Sequence, residues 1–162
     1  MPTNNIDLML AKQAISEIKH LYAHATDLIG HADNASVTEG RAIYHRIFAE
    51  HARIGAAGID PVTGPDAWVN IVLGALKDYR STQHLIGTQL IEVITLPDGD
   101  HGEATMLSYL QAWHSTDDEV WLFMGAYHDK LTHSARCGWQ ISDMMLKQMD
   151  TDRRARSSAP SN

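Results

Sequence analysis

One cysteine, Cys137, stands among 162 residues, so no disulfide framework can form within this chain and a reducing compartment suits it. Positive charge is scarce as well: 13 Lys and Arg face 20 Asp and Glu, for a net charge of -7. A surface of that sign gives no electrostatic support to nucleic-acid binding. No apolar run reaches the roughly 18 residues a membrane span needs. The opening MPTNNIDLML lacks a basic stretch ahead of a long apolar one, which points away from a secretory leader and towards a cytoplasmic protein. An apolar share of 44% with 20% charged residues is that of an ordinary globular domain, and the length suits one core.

Apolar periodicity divides the chain in two. Ile15, Ile18, Leu21, Tyr22, Ala25, Leu28 and Ile29 form a helical stripe within a helix from Ile6 to Ile29, with Lys12, Ser16, Lys19 and Ala23 off it. Asn5 is its N-cap candidate and Gly30 its stop. A second helix is predicted over Ser36–Phe48, capped by Asn34 or Ser36, and a third over Asp66–Tyr79. Ala52–Ala57 reads as a weak strand, and Pro61, Gly64 and Pro65 as a turn. Beyond Tyr79 come four strand-like runs, Ser81–Leu96, Glu103–Ser115, Glu119–Thr132 and Gly138–Met149, separated by turn sequences such as Pro97-Asp98-Gly99-Asp100. Helices followed by an antiparallel meander predict an α+β domain over residues 1–149, with helices covering one face of a curved sheet. Residues 150–162, polar and arginine-rich, read as a disordered tail.

Histidines mark the candidate chemistry. Strand alternation puts His84 on a face with Ile86, Thr88 and Leu90, His114 with Met106, Ser108, Leu110 and Ala112, and His128 with Leu122, Met124 and Ala126. A neutral imidazole at the rim of an apolar cavity takes and gives protons near pH 7. The competing reading, for any one of them, is a buried histidine whose polar atoms are simply satisfied. On an ideal helix Asp27 projects with His20, His24 and His31, opposite the apolar stripe, so periodicity alone puts it in solvent. His20 and His24 have the spacing of a shared metal ion, but no distant ligand is marked, and no metal site is expected.

Four segments carry a resemblance: Leu21-Tyr22-Ala23 with Asp27 four residues on, Thr82-Gln83-His84-Leu85-Ile86-Gly87, the His114 strand, and Gly138-Trp139-Gln140-Ile141. Together with the order of elements they resemble the nuclear-transport-factor-2-like superfamily, in its SnoaL-like and scytalone-dehydratase-like branch, over residues 6 to 149. The resemblance implies a cone-shaped antiparallel sheet around an apolar pocket, with Asp27 inside rather than in solvent. It further implies catalytic roles for Tyr22, Asp27, His84 and His114, and puts Thr26 and His128 near the substrate, while Met106, Leu110 and Met124, which share strand faces with His114 and His128, are the other expected substrate contacts. The chain departs from scytalone dehydratase where that enzyme keeps two tyrosines. Thr26 falls near one position, and the other lies in the tyrosine-free stretch Ile54–Gly58, so scytalone itself is not the expected substrate.

The expected activity is a cofactor-independent lyase or isomerase acting on a hydrophobic cyclic, polyketide-like or steroid-like hydroxy-ketone. His84 would move the proton beside the carbonyl, Asp27 would orient it, Tyr22 would bind the enolate oxygen and His114 would protonate the departing hydroxyl. The alternative is a non-catalytic binding or assembly domain using the same pocket. A homodimer or homotrimer through the outer sheet face is also expected, because Tyr109, Gln111, Trp113, Trp121 and Phe123 would give that face a large aromatic area.

Overall fold

In a computed structural model, which describes residues 5–156, helix α1 spans Asn5–Gly30 and α2 Asn34–Ile47. The strands β1 (Phe48–Ala56) and β2 (Ile59–Thr63) follow, then α3 (Pro65–Leu76). The long strands β3 (Ser81–Asp98), β4 (His101–Ser115), β5 (Glu119–Ser134) and β6 (Gly138–Ala155) complete the chain. The six strands form one curved, unclosed sheet in the order β2-β1-β6-β5-β4-β3. All neighbours are antiparallel except β1 and β6, which pair in parallel with Ile54 opposite Met144. The protein is thus α+β, three helices against the concave face of a bent sheet. None of the described helices is long and apolar enough to cross a membrane.

Local chemistry accounts for the helix ends. The α1 sequence has no proline or internal glycine, and it closes at Gly30, where the His31 N–H still reaches the Asp27 carbonyl at 3.2 Å. The N-cap of α2 is Asp33, not Asn34 or Ser36: its extended backbone lets the carboxylate accept the Ser36 N–H at 2.9 Å. Pro65 opens α3 in the first helical turn, where a missing N–H costs nothing. Between α1 and α2 the backbones nearly touch. A Cβ on Gly40 would stand 2.7 Å from Ile29 Cγ1 and 2.8 Å from the Ala25 carbonyl oxygen, so only glycine permits this approach.

Ile15, Ile29, Ile47, Ile54 and Ile141 lie fully buried where α1 and α2 meet the sheet. Each contributes about 1.5–3 kcal/mol by leaving water. Three expectations are corrected here. Pro61 sits within β2 rather than in a turn, as an edge strand allows. Lys19, which the helical stripe left outside, is buried. The sheet also runs on to Ala155 instead of fraying at Asp150, because β5 offers partners for Asp150 through Ala155 and Arg153 lies over the Trp121 ring at 4.9 Å. The remainder of the expected tail, 157–162, lies outside the described residues.

Candidate active site

Asp27 resolves the conflict between periodicity and resemblance. It does project from the side of α1 opposite the core stripe, but the start of β3 crosses that side and covers it. One carboxylate oxygen accepts the His84 Nδ1–H at 2.7 Å and the Thr82 hydroxyl at 2.9 Å, while the other accepts the His84 backbone N–H at 3.0 Å. Burial pushes the Asp27 carboxyl up, but these hydrogen bonds and the charge of His84 outweigh it and hold the group below its ordinary value. An ionised Asp27 cannot donate, so when His84 is neutral its proton sits on Nδ1 and the lone pair on Nε2. The side chains of His84 and Asp27 are only 8% and 21% exposed.

His84 lines a cavity of about 200 Å³ together with Tyr22, Thr26, Leu110, His114 and Tyr127. Trp68, Ile71, Trp121, Phe123 and Leu146 supply apolar walls. Of the four catalytic candidates, Tyr22, His84 and His114 face this cavity, while Asp27 stands behind His84 and reaches it only through the imidazole. Among the described residues, no Lys, Arg, Asp or Glu is in its wall.

Tyr22 is clamped among hydroxyls and rings. The Trp68 indole N–H donates to its hydroxyl at 3.3 Å, and its ring stacks on Tyr44 at 5.5 Å and meets Tyr127 edge-on at 5.3 Å. Thr26 donates to the Tyr22 carbonyl at 2.7 Å and accepts the Tyr44 hydroxyl at 2.6 Å. Burial raises the pKa of Tyr22, and raises those of Tyr44 and Tyr127 more strongly, so all three are neutral donors at pH 7.

His114 is held among aromatic rings. Its ring stacks on Trp121 at 4.5 Å, meets Tyr79 at a tilt of 49° and 4.9 Å, and stands edge-to-face with His84 at 5.7 Å. Desolvation, then the charge of His84, pushes its pKa down to about 4. The imidazole is therefore predominantly neutral at pH 7, which disfavours the expected role of an imidazolium that protonates a leaving hydroxyl. The unfolded chain takes up a proton near 6.5 that the folded one refuses until about 4. Stability is therefore intact above pH 6.5 and falls as pH drops through that window, by on the order of 3 kcal/mol. Urea denaturation between pH 7 and 4 is expected to show this loss in the wild type and a flatter profile in His114→Phe. Equal slopes would place the titrating group elsewhere.

The substrate-contact candidates divide. Thr26 and Leu110 line the cavity; Met106 is buried deeper, outside its wall. His128 and Met124 point to the outer sheet face, paired with Leu107 and Gln111. Register explains why. Asp129 pairs with Met106, Phe123 with Ala112 and Trp121 with His114, so the odd-numbered residues of β5 face inward. Trp121 and Phe123 consequently belong to the cavity rather than to the outer face, and Tyr127, Trp121 and Phe123 are the site residues that strand reading missed. Gly125 assists them, since a Cβ there would lie 2.7 Å from Phe123 Cε1. On β3 a shift between Ile86 and Gln89 turns Leu90 outward and Gln89 inward, reversing the alternation read past Ile86. His20 and His24 remain exposed, and no three metal-ligating side chains gather among the described residues.

Three helices on a bent six-stranded sheet, with a histidine–aspartate pair at a cavity between them, define a nuclear-transport-factor-2-like α+β protein. The profile of the SnoaL-like domain matches residues 8–145, and the chain belongs to that family. Among solved structures it is similar to a protein described as a putative scytalone dehydratase from Novosphingobium aromaticivorans DSM 12444, at 20% identity, TM-score 0.72, and coverage of 92% of this chain and 91% of the other. It is also similar to a hexachlorocyclohexane dehydrochlorinase (LinA-type3) from Novosphingobium barchaimii LL02, at 13% identity, TM-score 0.74, and coverage of 98% and 100%. A third is an NTF2-like protein with a cystatin-like fold from Novosphingobium aromaticivorans, at 14% identity, TM-score 0.68, and coverage of 90% and 86%. At these identities the likeness is one of fold. No curated protein matches the chain significantly.

Proposed function

We propose that this protein is a cofactor-independent lyase or isomerase in which His84 Nε2 removes a proton from carbon. The observation that carries this is the Asp27–His84 contact at 2.7 Å, which leaves a bare nitrogen at the cavity wall. A dehydratase and a dehydrochlorinase, the activities printed for two of the fold neighbours, share one requirement: a base takes a proton while a leaving group departs from the adjacent carbon. Here Tyr22 faces the oxygen that gains charge, and His114 serves as a neutral hydrogen-bond partner. The 200 Å³ cavity suits a substrate of one or two rings rather than a four-ring steroid, by comparison with the roughly 150 Å³ that holds benzene. A wall without charged side chains suits a neutral molecule.

Proton transfer can be tested before the natural substrate is known. Small cyclic ketones in deuterated buffer should exchange their α-hydrogens faster with the wild-type protein than with buffer alone, read by NMR. Absence of exchange across a panel that binds would turn the reading to a non-catalytic binding domain.

Self-association belongs to the same proposal. With Trp121 and Phe123 inside, the outer sheet face still shows Leu85, Tyr109 and Trp113 at 53%, 46% and 38% exposure. Covering that face with a second copy removes the apolar area from water. Light scattering at micromolar concentration should give a homodimer or homotrimer, and Trp113→Glu with Leu85→Glu should dissociate it. A wild-type monomer would refute the assignment.

A further inference from the structure

Lys19 and Asp129 are a fully buried ion pair that the His84–Asp27 chemistry does not use. The ammonium lies 3.1 and 2.8 Å from the two carboxylate oxygens and 3.4 Å from the Met144 sulfur. It also lies over two aromatic rings, 3.6 Å from the Tyr127 centroid and 4.7 Å from that of Tyr22. The placement repeats on both elements. Lys19 stands one helical turn before Tyr22 on α1, and Asp129 stands two residues after Tyr127 on the inward face of β5. The pair thus forms a rung directly behind the edge-to-face Tyr22–Tyr127 contact at the cavity.

Burial opposes both charges, drawing the Lys19 pKa down and the Asp129 pKa up, while each partner offsets part of the other's shift. A buried ion pair is often no more stabilising than apolar residues of similar size, so stability is weak ground for its presence. Its particular property is a cation against the faces of two phenols.

We propose that Lys19 and Asp129 are positioning residues that hold the Tyr22 and Tyr127 rings so that their hydroxyls are aimed into the cavity, as donors to a substrate oxygen bearing negative charge. This deepens the function proposed above, giving the enolate oxygen a two-phenol partner. Lys19 touches no substrate and acts through the two rings.

The test uses two probes of one shape. 4-Nitrophenol offers an ionisable oxygen whose anion absorbs separately, and nitrobenzene lacks the hydroxyl. In the charge-free variant Lys19→Met with Asp129→Leu, affinity for the phenolate should fall about tenfold, while nitrobenzene binding stays within about twofold of wild type. Adding Tyr127→Phe to that variant should cost little more, whereas in the intact pair Tyr127→Phe alone should reproduce much of the loss. Unchanged phenolate affinity, or an equal loss for both probes, would overturn the positioning role and leave the His84 reading standing. A wild-type protein that binds nitrobenzene as tightly as the phenolate would instead show that the cavity holds no oxyanion, which sinks both. If the charge-free variant does not fold, Tyr22→Phe and Tyr127→Phe decide: wild-type phenolate affinity in both variants overturns the proposal.

Discussion

Asp27→Asn should slow His84-dependent α-hydrogen exchange by roughly 10²-fold, and His84→Ala should abolish it, within the range of about 10²–10⁴ that a positioned acid–base group contributes. The carboxylate performs two tasks that an amide cannot combine. It accepts the Nδ1 proton, which keeps the lone pair on the nitrogen facing the cavity, and it supplies the negative charge that stabilises the imidazolium formed on proton transfer. Asp27 also accepts the Thr82 hydroxyl and the His84 backbone N–H, so it fixes the whole start of β3 relative to α1. Because those bonds hold its carboxyl below the ordinary value, it stays anionic wherever an imidazole can act as a base. Binding of a non-reacting ketone should survive in both variants, read by calorimetry. Wild-type exchange in His84→Ala would remove the base from the mechanism.

Lys19→Met alone should destabilise the protein by about 3–5 kcal/mol, since it strands a buried carboxylate. That corresponds to a fall of roughly 10 °C in Tm for a domain of this size. Asp129→Leu alone should cost a similar amount by stranding the ammonium, and the double substitution should recover most of the loss. The order follows from burial: both side chains have 0% exposure, so neither charge can turn to water when its partner goes. Chemical denaturation of the three variants measures this directly. Single variants within about 1 kcal/mol of wild type would show that the pair is held as two neutral groups.

Much of the architecture was legible because its physics is local. The apolar repeat from Ile15 to Ile29 predicts α1 almost to the residue, and the turn residues between the four long strands predict the meander. His84 and His114 stood out because an imidazole among apolar strand residues is costly unless something answers it. What answers it is not local. The Asp27 carboxylate lies 57 positions from His84, and no periodicity could bring the two together, because the helix face that looked solvated is covered by a strand that folds back over it.

Composition and local pattern by themselves determined the class of fold, the order of its elements, the absence of a disulfide framework and the strands that carry the histidines. Tertiary structure alone decided which face of β5 looks inward. Both of its faces carry apolar side chains, Trp121, Phe123 and Tyr127 on one and Leu122, Met124 and Ala126 on the other. A strand that is apolar on both sides carries no signal for its inner face, and pairing with β4 fixed it. Asp129 counted against the true face until Lys19 arrived from α1 to neutralise it, 110 positions away. The same holds for Ala155, whose segment is polar enough to fray alone and is ordered because β5 presents open backbone groups to pair with it. Alternation and helical repeats report on one element at a time, whereas a cavity is made by the register between elements and by charges that only meet once the chain has closed.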